Sequence, residues 1–263
     1  MTALQAPELR ARDVLGVITH PGTLDDYLKV ITRAVSNQKT LTVFYHNQHT
    51  LYCYFTSEEL RECYRGKTVL VDGMGIIFLY KLARIPVTRD HGLTYVDFIM
   101  PLMSLALQKN WRVFHVGQQA TIQMKALDTL RQRVPGIIIE GHDGYFDQLT
   151  NSMESLDVIR RINEFSTDLL LVGFGTPNQE VWVAAHREKI NAPAVLTCGA
   201  CMEYVAGAVR TPPRWMGRVG LEWSFRLIEN PRRFGYRYSI QTCLLGFVLL
   251  RNLFGIRPTR RDA

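Results

Sequence analysis

The chain has 263 residues, 47% of them hydrophobic and 21% charged, a length and balance that suit one sizeable core and exclude a disordered or low-complexity protein. Its net charge of +7 is unevenly placed: from Arg210 onward there are 11 arginines, no lysine and three acids, so this last fifth carries +8 while residues 1–209 carry −1. Five scattered cysteines argue against a disulfide scaffold, the first twenty residues show no signal-peptide pattern, and no stretch approaches eighteen uncharged apolar residues. The concentrated positive charge points to an anionic partner for the tail.

Residues 1–22 read as an irregular lead-in ending at His20-Pro21-Gly22, after which Thr23 caps a helix with apolar positions at Leu24, Leu28, Ile31 and Val35. Thr40–Tyr45 is a predicted strand ending at His46-Asn47-Gln48, and Ser57 opens a second helix. Val69-Leu70-Val71 has the β-branched, apolar character of a buried parallel strand. It breaks at Asp72-Gly73, and an apolar helix follows over Met74–Leu82. Residues 84–92 are polar and turn-rich, a predicted loop over the site. Helices over Tyr95–Leu107, Thr121–Arg133, Ser152–Phe165 and Glu180–Lys189 then alternate with strands over Trp111–Val116, Gly136–Glu140, Asp168–Val172 and Ala194–Thr197. This alternation specifies an α/β fold: a Rossmann-like, mostly parallel sheet with helices on both faces. Beyond Gly207 the pattern breaks at Arg210-Thr211-Pro212-Pro213-Arg214-Trp215, and amphipathic basic-aromatic helices are expected over 221–228 and from Phe234 towards Phe254. Two parts follow: an α/β core over 1–209 and a basic helical appendage over 210–263.

Open parallel sheets bind ligands at the carboxyl ends of their strands. The polar strand ends are therefore the candidates: Asn47, Asp72, Gly117-Gln118, the segment Val172–Glu180, and Glu203. Gly73 and Gly75 let a ligand approach a helix N-terminus beside Asp72; the competing reading is a turn that only caps the helix. Gly173, Gly175 and Pro177 mark a turn with free N–H groups suited to a diphosphate, or else an ordinary strand-to-helix connection. No GxGxxG, P-loop or GxSxG pattern is present, which leaves a dinucleotide site, an ATP site and a serine-hydrolase elbow unsupported. Cys198 and Cys201 have CxxC spacing without a second pair and read as buried thiols, while His46 and His49 lack a carboxylate partner in register, so neither metal nor cofactor is expected. The tail interleaves arginine with Trp, Phe, Tyr and Leu, which favours an anionic membrane surface over nucleic acid; a solvated helical face is the plain alternative.

Four segments together, Val71-Asp72-Gly73-Met74-Gly75, Val172–Glu180, Ala206–Pro212 and Leu221–Leu227, resemble the WecG/TagA/CpsF glycosyltransferase family, in order, over about residues 14–240. The resemblance implies an inverting transferase that needs no metal and moves a hexose from a UDP-sugar donor to a polyprenyl-diphosphate-linked glycan acceptor. It implies a peripheral place at the cytoplasmic face of the inner membrane, in exopolysaccharide, capsule or related envelope glycan assembly, and leaves the oligomeric state open. By position, Asp72 is similar to the family's general base, Asn47 to the asparagine after the first core strand, and Gln179 to the polar residue beside the nucleotide sugar. Arg226, Arg233 and Arg237 resemble arginines that grip the acceptor diphosphate, and Gly73, Gly75, Arg89, Gly117, Gly173, Gly175 and Glu203 complete the expected substrate-binding set. The sequence departs from the pattern at Tyr45, where a threonine is usual, at Thr94, where the loop acid is missing, and at Glu203, where an aspartate is usual. These positions surround the expected sugar pocket and lean the expectation towards a neutral hexose such as glucose rather than an N-acetylmannosamine-type donor. The alternative is a non-catalytic nucleotide-binding module whose basic tail docks on nucleic acid or a partner; Asp72→Asn separates the two.

Overall fold

The structure, a computed structural model, describes residues 9–14, 16–82, 84–148, 152–213, 216 and 221–253; the side chains at 79, 82, 233, 248, 249 and 251–253 lie outside it. The expected irregular lead-in is instead a short hairpin, β1 (Arg12–Val14) with β2 (Val17–Thr19), closed where Asp13 Oδ1 accepts from the Gly16 N–H at 2.7 Å. Three-residue strands of mixed polarity carry too short a period to be seen in sequence. Helix α1 (Leu24–Ser36) starts at the predicted Thr23, through a reciprocal capping box with Asp26.

Strands β3 (Leu41–His46), β4 (Thr68–Val71), β5 (Arg112–Gly117), β6 (Ile138–His142), β7 (Leu169–Gly173) and β8 (Ala194–Thr197) form one six-stranded sheet in the order β4-β3-β8-β7-β5-β6, with every pair parallel. Successive side chains alternate between faces. Tyr45, Leu70, Val113, Leu171 and Leu196 pack with α1 and with α5 (Tyr95–Gln108) and α6 (Ala120–Arg133). Phe44, Val69, Phe114, Leu170 and Val195 pack with α3 (Glu58–Tyr64), α7 (Met153–Glu164) and α8 (Asn178–His186). Burial on both faces explains why these strands read as continuous apolar runs.

Three elements shape the region that matters. Helix α2 (Gln48–Thr56), which the sequence reading passed over as a strand end, is started by Asn47, whose Oδ1 accepts from the N–H groups of His49 and Thr50. Helix α4 (Met74–Leu82) follows Asp72 as predicted, and the short α9 (Cys201–Val205) follows β8. The chain then runs through α10 (Glu222–Glu229), α11 (Pro231–Tyr236), a π-helical turn over Arg237–Gln241, and α12 (Thr242–Leu253). These last helices are fastened to α2: Gln48 Nε2 donates to the Arg237 carbonyl at 3.1 Å, and His49 Nδ1 lies 3.0 Å from Gln241 Oε1. Leu245 of α12 is buried with Val14, Leu51, Val71 and Ile77. Arg214-Trp215 and 254–263, which the sequence reading placed in the appendage, lie outside the described residues.

Candidate active site

The strand order places a switch point at the centre of the sheet. β5 and β7 are neighbours, yet β5 leads outward to β6 and β7 leads the other way to β8, and such a divergence opens a crevice at the carboxyl edge. At that edge Gly117 pairs with Gly173 so closely that a Cβ on Gly117 would stand 2.5 Å from the Gly173 carbonyl oxygen. Gln118, held at φ 66°, turns its amide back over this junction and donates to the carbonyls of Gly173 at 2.9 Å and Gly199 at 3.0 Å. One side-chain amide thus pins the ends of β7 and β8 to β5.

Two cavities lie along this edge. The larger, about 970 Å³, runs over Gln118, Gly144–Gln148, Gly173–Gly175 and Asn178. The smaller, about 350 Å³, is walled by Tyr45, Asn47, Asp72, Tyr95, Tyr204, Arg226 and Arg237, among others. Gly175, Gly199, Ala200 and Glu203 line both. The volumes are those of small-molecule sites, and the shared residues form a seam between them.

Asp72 sits on the floor of the smaller cavity, half-buried, its backbone N–H continuing the sheet to the His46 carbonyl at 2.9 Å. Its Oδ2 accepts from Asn47 Nδ2 at 3.2 Å. The direction of that amide is not free: the α2 cap occupies its oxygen, so its NH₂ must face Asp72. Burial raises the Asp72 carboxyl to about 6, with Arg226 and the Asn47 hydrogen bond acting the other way and Glu222 adding to the rise. Arg226 comes from α10, facing Asp72 across the cavity. Glu222 lies 3.7 Å away one turn earlier, and the ring of Tyr204 is 5.7 Å from the guanidinium carbon. Burial alone would weaken this cation, but Tyr204, Tyr238, Asp72 and Glu222 together outweigh it, and its charge is held firmly.

Of the residues predicted from sequence, Asn47, Asp72, Gly173, Gly175, Glu203, Arg226 and Arg237 line the cavities. Gly117 lies beneath their wall against Gly173. Gln179 is fully buried just behind the seam, where its Oε1 accepts from the Gly199 N–H at 3.2 Å. Gly73 precedes α4 and Gly75 lies in its first turn, neither lining a cavity, and Arg89 is exposed on a turn over Arg89–His91 that also lines neither. The predicted loop over the site therefore stands beside it. Arg233 is on α11, its side chain outside the described residues. Cys198 and Cys201 are free, buried thiols in the smaller cavity's wall, with the Cys201 thiol pushed up to about 12 by burial. His46 is fully buried, stacked on Tyr64 and lowered to about 3 by burial. Sequence reasoning placed Tyr45 at the pocket but missed Tyr95 and Tyr204, which complete the smaller cavity's wall from two distant elements that carry no sequence signal for it.

The arrangement sets a carboxylate with an elevated pKa opposite arginines, beside a larger, glycine-edged cavity. It suits deprotonation of a hydroxyl next to an anionic group. The chain is similar to the N-acetylglucosaminyldiphosphoundecaprenol N-acetyl-beta-D-mannosaminyltransferases of Staphylococcus aureus strains MW2 and NCTC 8325 / PS 47, in each case 25% identical over 91% of this chain and 93% of the relative. Residues 12–258, nearly the whole chain, match the glycosyl transferase WecG/TagA/CpsF family. The protein is a glycosyltransferase of the WecG/TagA/CpsF family.

Proposed function

We propose that the protein transfers a hexose, with inversion, from a UDP-sugar to a sugar hydroxyl of a polyprenyl-diphosphate-linked acceptor. The observation that carries this reading is the seam: Asp72 and Arg226 face each other in the smaller cavity, and that cavity shares Gly175, Gly199, Ala200 and Glu203 with the larger one. The larger cavity takes the nucleotide, whose diphosphate meets the N–H groups at the start of α8, and the smaller takes the acceptor. Asp72 accepts the proton of the acceptor hydroxyl as its oxygen bonds to the anomeric carbon. The bond from that carbon to the UDP oxygen breaks, and UDP leaves with the electron pair. Arg226, Arg233 and Arg237 are proposed to hold the acceptor diphosphate; arginine's planar fork matches phosphate oxygens.

The donor sugar is proposed to be a neutral hexose such as glucose. Tyr45, buried at the base of the smaller cavity, fills volume next to Asp72 and the seam that a bulkier substituent on the sugar would need. The N-acetylmannosaminyl group in the relatives' names is the competing donor. We further propose that residues 210–263 attach the enzyme peripherally to the cytoplasmic face of the inner membrane. Trp223, Ile228, Tyr236, Ile240, Leu244, Phe247 and Leu250 are all exposed on α10–α12 and the π-helical turn between them, in the part of the sequence with the positive excess. No helix among the described residues is long and apolar enough to cross a membrane.

The test is UDP release from a panel of UDP-hexoses, with and without polyprenyl-diphosphate-linked N-acetylglucosamine. Release that requires the acceptor and favours one donor is expected. Acceptor-independent binding with no turnover for any donor would favour a non-catalytic nucleotide-binding module and overturn the reading.

A further inference from the structure

One buried acid is left over once Asp72 is assigned. Glu180, in the first turn of α8, has no exposed surface. Its Oε1 accepts from Gln179 Nε2 at 2.7 Å and from Thr176 Oγ1 at 3.2 Å, and its Oε2 has no hydrogen-bond partner among the described residues. A carboxyl retained only for stability would have both oxygens satisfied, because an unpaired buried oxygen is costly. The contacts of Gln179 indicate what the acid does. Its NH₂ also reaches Tyr45 Oη at 3.2 Å, and its oxygen takes the Gly199 N–H. That amide ties the end of β3, the start of α8 and the second residue after β8 to one another.

An amide can turn over, exchanging its donor and acceptor ends, and only its surroundings decide which way it points. Here Glu180, which accepts, and the Gly199 N–H, which donates, decide it together. An ionised carboxylate accepts hydrogen bonds and donates none, so it draws the NH₂ of Gln179 to itself and leaves the oxygen for Gly199. A neutral carboxyl, whose O–H can face the amide oxygen as readily as its C=O faces the NH₂, no longer favours one direction, and an apolar side chain removes the acceptor altogether. Gly199 belongs to the seam shared by both cavities and Tyr45 to the wall beside it.

Resting on the transferase reading above, we infer that Glu180 is a positioning residue for sugar transfer: its carboxylate fixes the direction of the Gln179 amide, and through it the Gly199 N–H and the Tyr45 hydroxyl at the seam of the two cavities. The titratable groups around it are Tyr45 on β3, Cys53 on α2, and Cys63 and Tyr64 on α3, each held neutral by an upward shift that burial dominates. Burial raises Glu180 itself to about 7, opposed by the hydrogen bonds from Gln179, from its own backbone N–H and from Thr176. Its charge therefore changes within the working range, and the amide is held by both Glu180 and Gly199 only on the alkaline side.

The experiment compares full-length wild type, Glu180→Gln and Glu180→Leu with the donor and acceptor pair that supports transfer in the panel above, from pH 5.5 to 8.5, with thermal melts as a folding control. Gln at 180 stands in for the neutral carboxyl, with one acceptor and one donor, and does not titrate; Leu supplies no acceptor. At pH 8, Glu180→Leu is expected to melt no lower than wild type yet to raise the donor KM about tenfold, with a smaller change in kcat. Glu180→Gln should show at every pH the raised donor KM that wild type reaches only as pH falls below 7. Wild-type KM in Glu180→Leu, or an unchanged KM profile in Glu180→Gln, would overturn the positioning role while leaving the transferase reading intact. A wild-type chain that transfers from no donor would overturn that reading and the positioning role together.

Discussion

If Asp72 is the base, the acid side of the rate profile belongs to it and the structure sets its midpoint. General-base catalysis needs the ionised form, and burial holds the carboxyl near 6 rather than the usual 3.8. At pH 5 about one molecule in eleven then carries the active base, so kcat/KM should stand about tenfold below its plateau and be half-maximal near pH 6. An unperturbed aspartate would give a nearly flat profile over the same range. Asp72→Asn keeps the shape and the contact with Asn47 but removes the base; transfer should fall by about 10²–10⁴ while UDP-sugar affinity, measured by calorimetry, stays within about threefold. Arg226 is the main influence lowering the Asp72 pKa, so Arg226→Gln should move the acid limb of the remaining activity to higher pH. The background for these profiles is Glu180→Gln, in which the other acid titrating near this range is absent. A flat kcat/KM between pH 5 and 8, or an Asp72→Asn enzyme retaining more than about a tenth of the rate, would refute the assignment.

Three further outcomes are expected. In Glu222→Gln, Arg226 loses its intrahelical counter-charge and Asp72 a source of upward shift, so the acid limb should move to lower pH, read from the same profiles. Gly199 has φ 53° and an added Cβ would stand 2.6 Å from Tyr45 Oη, so Gly199→Ala should lower stability by about 1–2 kcal/mol from backbone strain alone; adding Tyr45→Phe should recover part of any further loss, a non-additivity visible in denaturant melts. Glu180 takes its proton more readily in the folded chain than the usual 4.5 of an unfolded one, so stability is lost as pH rises from about 4.5 to 7. Glu180→Gln should gain up to about 3 kcal/mol over wild type at pH 8 and nothing from this source below pH 4, seen as a pH-dependent gap in melting temperature.

The sheet was legible because a strand covered on both faces has no polar alternation to blur it; β4, β7 and β8 were placed within a residue. Asp72, Gly173 and Gly175 followed from the same logic, since a parallel sheet sends every strand end to one edge. Helix α2 was not legible: its sequence, QHTLYCYFT, mixes aromatic and β-branched residues with little amphipathic pattern, and the signal was confined to the Asn47 cap with Thr50. Arg89 looked like part of a loop over the site because polar turns near strand ends usually are. Its turn instead lies against α4, where a Cβ on Gly92 would stand 2.9 Å from Ile77. The seam itself was invisible, for it depends on which loops from β7 and β8 meet, and Gln118 and Gln179 decide that through single amides.

The fastening of the appendage to α2 has a consequence for how such enzymes can be recombined. Asn47 starts α2 and aims its amide at Asp72; Gln48 and His49, the next two residues, hold the π-helical turn of the tail. The helical tail and Asp72 are therefore joined through three consecutive residues. A chimera that exchanges residues 210–263 between relatives but leaves α2 behind would inherit a mismatched joint beside Asp72, whereas one that moves residues 47–56 together with the tail would keep the pair intact.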